Sequence, residues 1–329
     1  MLQAFYEGTI GGTTEKSILC AEVSYTSEKI FLPDGGMMSI DWSGLDFYSP
    51  NPKKILIVGP GVTGHSDSQY VRCVAIEAMN KGYAVAVLHG RGIAGNEILT
   101  FKTHCACSFD DYEFAISYIE NKFPNIPLVG LGTSMGAGIL LKHVALSGNS
   151  CKLKALVVVA TPFSHLHAGQ KANDFWPYFG IPRKFILNIF TKMSSTLKPQ
   201  LEKWPDKLEA QGIDFSRVSQ SKSYSEFDSS FTAKINGFPD SDEYYAVASS
   251  TGHLHNIKIP VLALSSLDDP VISYEGIPFN EFLTNDNLIL MTTNCGGHIG
   301  WFTGTFLPKR WYQIPCVEYL EAVLSTLNS

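Results

Sequence analysis

The stretch Pro127 to Leu146, PLVGLGTSMGAGILLKHVAL, decides how the chain is read. Pro127 to Leu131 is a short apolar run of the kind that forms a strand buried on both faces. Ala137 to Leu146 reads as a helix. Between them lies Gly132-Thr133-Ser134-Met135-Gly136, a G-x-S-x-G motif. A serine held on a sharp strand-to-helix turn is presented for attack, and the turn is so tight that only small residues such as Gly132 and Gly136 fit beside it. The N–H groups opening the helix also favour negative charge developing near Ser134. An ordinary glycine-rich βα loop is the alternative, and partners elsewhere in the chain must discriminate.

The same grammar extends outward. Lys54 to Val58 (KILIV), Tyr83 to Leu88 (YAVAVL), Leu156 to Ala160 (LVVVA), Pro260 to Leu264 (PVLAL) and Leu288 to Met291 (LILM) are further short aliphatic runs. Helical patterns lie between them, over residues 68–81 with Ser66 and Asp67 as cap residues, and over Asp110 to Phe123. The tail from Pro315 forms a closing amphipathic helix. Strand and helix in alternation predict an α/β fold, a mostly parallel sheet with helices on both faces. Residues 162–257 interrupt the alternation for longer than any ordinary connection, so they predict a cap inserted between two late core strands. The expected organisation is core 1–161, cap 162–257 and core 258–329. Two apolar cap segments, Phe175 to Phe179 and Phe185 to Phe190, either line an acyl pocket and touch lipid or pack the cap onto the core.

Composition narrows the classes. Hydrophobic residues make up 45% of the 329, with 20 Phe and 14 Tyr, enough to bury a core. Net charge is -6 and no Lys/Arg cluster exceeds a pair, which argues against nucleic acid as a partner. The seven cysteines, at 20, 73, 105, 107, 151, 295 and 316, lack zinc-site spacing and read as free buried thiols, with no metal or other cofactor expected. The opening MLQAFYEGTIGG has no secretory pattern, and no apolar run approaches the ~18 residues of a spanning helix. An intracellular, cytoplasmic protein is expected, with any membrane contact peripheral and through the cap.

A serine nucleophile needs a base and an orienting acid, expected later in the chain in the order Ser, Asp/Glu, His. Asp268-Asp269-Pro270 follows PVLALSS, and His298, in CGGHIG, follows LILMTT. Both stand at strand ends on the rim where ligands collect in open α/β sheets. Backbone N–H groups of Met135, directly after the serine, and of Val62, in the turn GPGVTG, are candidate donors to an oxyanion. His65, His89, His104 and His143 precede the acid, and His165, His167, His253 and His255 fall in or beside the cap. His143 reads as a packed or surface residue, while His89 and Arg91 could border the pocket.

With these motifs in order, the chain resembles the AB hydrolase superfamily, in the AB hydrolase family 4 branch of YheT-type esterases and animal abhydrolase-domain lipases and phospholipases. The resemblance runs from about Asp34 to Gly304. It rests on DGGMMSIDW, GPGVTGHSDSQYV, HGRGIAGNEILTFKTHCACSFDDYEFAI, GTSMGAG, FDSSFTAKINGF, DEYYAVASS, LDDPVIS and GGHIGWFTG. It implies the α/β-hydrolase fold, Ser134 as nucleophile, His298 as base and Asp269, the Asp directly before Pro270-Val271-Ile272, as acid. The chain departs from the family at Ala137-Gly138, where Gly-Asn is usual, and at Met135, where Leu is usual.

The resemblance further implies an esterase or lipase acting on a lipid ester through an acyl-enzyme. A transferase passing the same acyl group to an alcohol or thiol shares that half-reaction, and the triad by itself does not choose ester over amide. A silent ligand-binding module has no physical need of all three side chains.

Overall fold

The structure, a computed structural model, describes residues 23–45, 52–168, 181–304 and 309–327, with only the backbone for 181–189. Its centre is an eight-stranded sheet in the order β1-β2-β4-β3-β5-β6-β7-β8. These are Thr26–Phe31 (β1), Met37–Ser43 (β2), Ile55–Gly59 (β3), Ala84–His89 (β4), Leu128–Thr133 (β5), Leu153–Val159 (β6), Val261–Ser266 (β7) and Leu288–Thr293 (β8). From β4 to β8 every pairing is parallel, whereas β1 and β2 form an antiparallel hairpin laid against β4.

Alternation along the strands supplies two apolar layers, since successive side chains point to opposite faces. Ile55, Ile57, Ala86 and Leu88 face one cluster, shared with Tyr112, Ile116 and Ile119 of α2 (Phe109–Lys122) and Leu140, Leu141 and Val144 of α3 (Met135–Ser147). Leu56, Val58, Val85 and Val87 face the other, shared with Val71, Val74 and Ala78 of α1 (Gln69–Asn80) and Val317, Leu320 and Leu324 of the final helix, Gln313–Leu327. Strands buried on both faces have no polar side, which is why they read as unbroken aliphatic runs.

Three details differ from the sequence reading. The hairpin β1–β2 had no counterpart there. Helix α1 starts at Gln69 with Ser68 as its N-cap residue, so Ser66 and Asp67 do not cap it. Ser66 instead donates its hydroxyl to Asp41 of β2 and its N–H to Nε2 of His89 at 3.0 Å. Finally, β6 begins at Leu153 and ends at Val159, because Ala160 takes φ +51° and turns the chain out of the sheet.

Between β6 and β7 the described residues form helices joined by loops and turns, with no strand among them. Ile181–Leu201, Pro205–Ala210, Phe215–Val218, Tyr224–Phe227 and Ala233–Ile235 gather around Phe190, Leu197, Leu201, Val218, Phe227 and Phe231. Phe190 packs edge-on to Tyr224 at 4.7 Å, so this end of its segment serves the packing of the insertion. The side chains of 185–189 and the whole of Phe175 to Phe179 lie outside the described residues, as does the N-terminal MLQAFYEGTIGG. Among the described residues no helix is long and apolar enough to cross a membrane. The cysteines there are free thiols, but not uniformly buried: Cys105 and Cys316 are, whereas Cys295 is exposed.

One buried ion cluster ties the hairpin to the core. The Arg91 guanidinium donates from Nε and Nη2 to Asp111 at 2.8 Å each, from Nη1 and Nη2 to Asp34 at 2.7 and 3.0 Å, and from Nη1 to Thr100 at 2.7 Å. Every guanidinium N–H is satisfied, the condition under which a buried cation is tolerable. Asp111→Ala strips the acceptors from Nε and one Nη2 N–H of Arg91, a side chain 3% exposed, and is expected to cost roughly 3–5 kcal/mol. Asp34→Ala, at a carboxylate 46% exposed, should cost roughly 0–1 kcal/mol. Urea unfolding of the two variants checks that order.

Buried histidines set the acid side of stability. Burial pushes His104, stacked on Tyr112, and His165, stacked on Tyr245, from 6.5 down to about 4. Their stabilisation is complete above the unfolded value of 6.5 and is lost as pH falls toward 4. Burial of Asp228 raises it from 3.8 to about 6, so its contribution runs the other way over much of that window. Two histidines outweigh one carboxyl, and the melting temperature should fall between pH 6.5 and 4. His104→Gln should make that fall shallower, as thermal melts across the range would show.

Candidate active site

The site is assembled where β5, β7 and β8 end on the same rim of the sheet. At the end of β5 the backbone of Ser134 takes φ +51° and ψ -123°. That strained conformation is held from both sides: Ser134 N–H donates to Val159 O at 2.9 Å, and Ser134 O accepts from Gly138 N–H at 3.1 Å. A Cβ added to Gly136 would stand 2.2 Å from Gly59 O and 2.3 Å from Pro60 O, and one on Gly132 2.5 Å from Ala137 Cα. The two glycines exist because backbone meets backbone here.

The partners arrive from the neighbouring strands. His298 Nε2 lies 2.9 Å from Ser134 Oγ, and His298 Nδ1 lies 2.9 Å from Asp269 Oδ2. An ionised carboxylate only accepts, so Nδ1 carries the proton it donates, and Nε2 is left to accept from the serine hydroxyl. Asp269 is 4% exposed, and its other oxygen accepts the N–H groups of Val271 at 2.8 Å and Ile272 at 2.9 Å. Those bonds keep the buried carboxylate satisfied while it orients the ring. Asp268 does not face the imidazole; it accepts N–H groups from Gly296 and Gly297.

The turn carrying Val62 lies against the serine. A Cβ on Gly61 would be 3.2 Å from Ser134 Cβ, and Gly64 N–H closes the turn onto Gly61 O at 2.9 Å. Met135 opens α3, where helix geometry leaves the first N–H groups without intrahelical acceptors. The Val62 side chain packs against the apolar cluster of the helices between β6 and β7, and Met135 packs against a second cluster that holds Tyr244 and Tyr245. Pro162 and His165 wall the space beside Gly138, at 3.3 and 3.7 Å from where its Cβ would be.

Two expected pocket residues have other work. His89 is 1% exposed, and burial holds its imidazole below the usual range, so neutral Nε2 can accept Ser66 N–H at the far end of the Gly61–Gly64 turn. Arg91 belongs to the ion cluster described above. His143 is buried, 3.1 Å from Glu113, away from these three side chains. Sequence reasoning passed over Tyr70, whose hydroxyl accepts Gly61 N–H at 3.0 Å and so staples the turn at its near end. Its only trace in the sequence is its place in the motif GPGVTGHSDSQYV. Among the described residues no His, Cys, Asp and Glu group is arranged to hold a metal ion.

A half-buried imidazole oriented by a buried carboxylate, with a hydroxyl at hydrogen-bond distance, is an arrangement that can form and break an acyl bond. Several known proteins are similar to this chain. Residues 50–285 match the family described as "Serine aminopeptidase, S33". "Phospholipase ABHD3" of Homo sapiens is 29% identical over 295 residues, 88% of this chain and 70% of that protein. "Putative esterase YheT" of Escherichia coli (strain K12) is 26% identical, covering 90% and 85%. "Monoacylglycerol lipase" of Saccharomyces cerevisiae is 26% identical, covering 96% and 71%. Among solved structures, the Pyrococcus furiosus esterase Pf2001 superposes with a TM-score of 0.60 at 15% identity, over 91% of each chain.

Tyr70→Phe removes the acceptor of Gly61 N–H and loosens the turn beside Ser134. Reaction with a fluorophosphonate, followed by rate of labelling, should slow about tenfold, matching the roughly 1–3 kcal/mol of an unsatisfied donor, with the circular dichroism spectrum unchanged.

Proposed function

The chain belongs to the serine aminopeptidase S33 family of α/β-hydrolases, and on that premise we propose that it is a carboxylic ester hydrolase acting on lipid-like esters through an acyl-enzyme at Ser134. The observation that carries this reading is the unbroken relay Asp269–His298–Ser134, with 2.9 Å at each step. His298 Nε2 takes the Ser134 proton as Oγ attacks the ester carbonyl. The oxyanion that forms is met by the N–H groups of Val62 and Met135. Collapse expels the alcohol, which receives the proton from His298. Water, deprotonated by the same imidazole, then releases the acid and restores the serine. Asp269 holds the productive tautomer and stabilises the imidazolium of each half-reaction.

An ester of an apolar acyl group is favoured over a peptide by the names of the relatives, which are a phospholipase, an esterase and a monoacylglycerol lipase. The apolar and aromatic surroundings, Val62, Met135, Tyr224 and Tyr244, suit an acyl chain better than a charged amine. The domain division that goes with this reading is a core of residues 1–161 and 258–329 carrying 162–257 as a cap, supported by the helices and loops, without a strand, that the described residues form between β6 and β7. Peripheral contact of the cap with a lipid surface accompanies it. Of the two segments offered for that contact, Phe175 to Phe179 and the side chains of 185–189 lie outside the described residues, and Phe190 packs on Tyr224.

Hydrolysis of p-nitrophenyl esters of increasing acyl length by wild type and Ser134→Ala tests the reading. Turnover should rise toward medium or long chains, and the variant should lose about 10³-fold or more in kcat. Preference for aminoacyl amides over every ester, or turnover independent of Ser134, would contradict it.

A further inference from the structure

The dipeptide Asp268-Asp269 presents two carboxylates one residue apart, and the relay uses only the second. The first is engaged more densely than a turn residue needs. A single oxygen of Asp268, Oδ1, accepts Gly296 N–H at 2.9 Å, Gly297 N–H at 2.8 Å and the hydroxyl of Ser266. Gly296 and Gly297 are the two residues directly before His298. Asp268 is exposed, so these bonds are made in competition with water, and all of them are charge-assisted. Burial acts to raise its carboxyl, but the Ser266 hydroxyl and the N–H groups of Gly297 and Gly296 outweigh that and hold it below its ordinary value.

The loop that bears His298 needs such an anchor. Gly297, Ile299 and Trp301 all take left-handed backbone angles, φ +59°, +61° and +46°. For a β-branched isoleucine and a tryptophan this is strained, and strain persists only where the surroundings over-determine it. Downstream of His298 the loop is held by Trp301 N–H on Gly296 O at 3.0 Å, by Trp301 Nε1 on Thr293 Oγ1 at 2.9 Å and by Arg310 Nε on Ile299 O at 3.1 Å. Upstream it lies hard against the end of β7: a Cβ on Gly296 would be 2.5 Å from Trp301 Nε1 and 2.9 Å from Ser266 Oγ. At that upstream end, Asp268 is the side chain that accepts both successive N–H groups.

We propose that Asp268 is a positioning residue for the reaction at Ser134, fixing the backbone before His298 while Asp269 fixes the ring, so that consecutive carboxylates clamp one histidine at two points. The inference rests on the reading of Ser134 and His298 given above. Each carboxylate removes a different freedom: Asp269 sets the tautomer and the ring plane, and Asp268 sets where the ring is carried. Without Asp268 the Gly296 and Gly297 N–H groups lose their shared acceptor and the left-handed residues can relax. Nε2 then drifts from the 2.9 Å it keeps to Ser134 Oγ. A misplacement of about 1 Å at a reacting group costs on the order of 10²-fold in rate.

The test uses the full chain as Asp268→Ala and Asp268→Asn, with p-nitrophenyl butyrate as substrate. The asparagine keeps Oδ1 as an acceptor for both N–H groups, so it separates anchoring from charge. Asp268→Ala should lose about 10- to 100-fold in kcat with KM within about twofold, because the acyl site is untouched. Asp268→Asn should return to within about fivefold of wild type. Equal damage in the two variants, or an alanine variant within about twofold of wild type, overturns the clamp. A readout independent of turnover is the downfield proton resonance of His298 Nδ1–H bonded to Asp269. It should be sharp in wild type and Asp268→Asn and broadened or lost in Asp268→Ala. Unchanged in the alanine variant, it overturns the clamp as well. If wild type shows no Ser134-dependent turnover, the functional reading fails, and the resonance still decides the role of Asp268.

Discussion

The close approach of two backbones at Gly136 is the constraint on which the rest depends. The first turn of α3 sits so near the end of β3 that the carbonyl oxygens of Gly59 and Pro60 occupy the space a side chain at 136 would need. That approach drives Ser134 into its positive-φ conformation, lifts its hydroxyl clear of the sheet, and presses the Gly61–Gly64 turn against it. Strain of this kind, about 1–3 kcal/mol per residue, survives only when packing determines it from several sides. Here the packing is the doubly buried sheet: β5 lies between β3 and β6, and Ser134 N–H is tied to the end of β6. The sheet therefore does more than carry the site; it forces the geometry on which the proposed reactivity of Ser134 rests.

Around that fixed point, polar groups are spent on holding loops. The turn beside the serine is fastened at one end by Tyr70 and at the other by His89, which burial keeps neutral and therefore able to accept a hydrogen bond. The loop bearing His298 is fastened by Asp268, Trp301 and Arg310. Arg91 fastens the β1–β2 hairpin to α2 through Asp34 and Asp111. A catalytic arrangement good to a few tenths of an ångström needs loops whose backbone hydrogen bonds are all assigned.

The parallel strands were legible because burial on both faces leaves short aliphatic runs between turn signals, as in KILIV and YAVAVL. Ser134, Asp269 and His298 were legible as candidates from chain order and strand ends, and the structure brings them within hydrogen-bond reach of one another. The hairpin was only half legible: TSEKIF carries Glu28 and Lys29 in mid-strand, whereas MMSIDWS alternates apolar and polar from Met38 to Ser43, a strand signal that the sequence reading passed over. Its Ser39 and Asp41 sit beside His89, a tertiary context that no local pattern reveals. The preference for Asp269 over Asp268 came only through the resemblance, from its place directly before Pro270-Val271-Ile272. Neighbouring residues in a turn point different ways, and only the fold shows that one faces a ring and the other two backbone N–H groups. The same limit applied to Arg91, whose partners lie 57 and 20 residues away, and to Ser66, which resembled a helix cap and proved to be a tether.

Intact-protein mass spectrometry after brief exposure to a fluorophosphonate addresses the centre of this picture, the proposed activation of one serine by strained geometry and the Asp269–His298 pair. A single adduct on wild type, mapped by digestion to Ser134, slowed strongly in His298→Ala and absent in Ser134→Ala, is the expected result. Folded wild-type protein that takes up no adduct, or that is modified at another residue while Ser134 stays free, would contradict it.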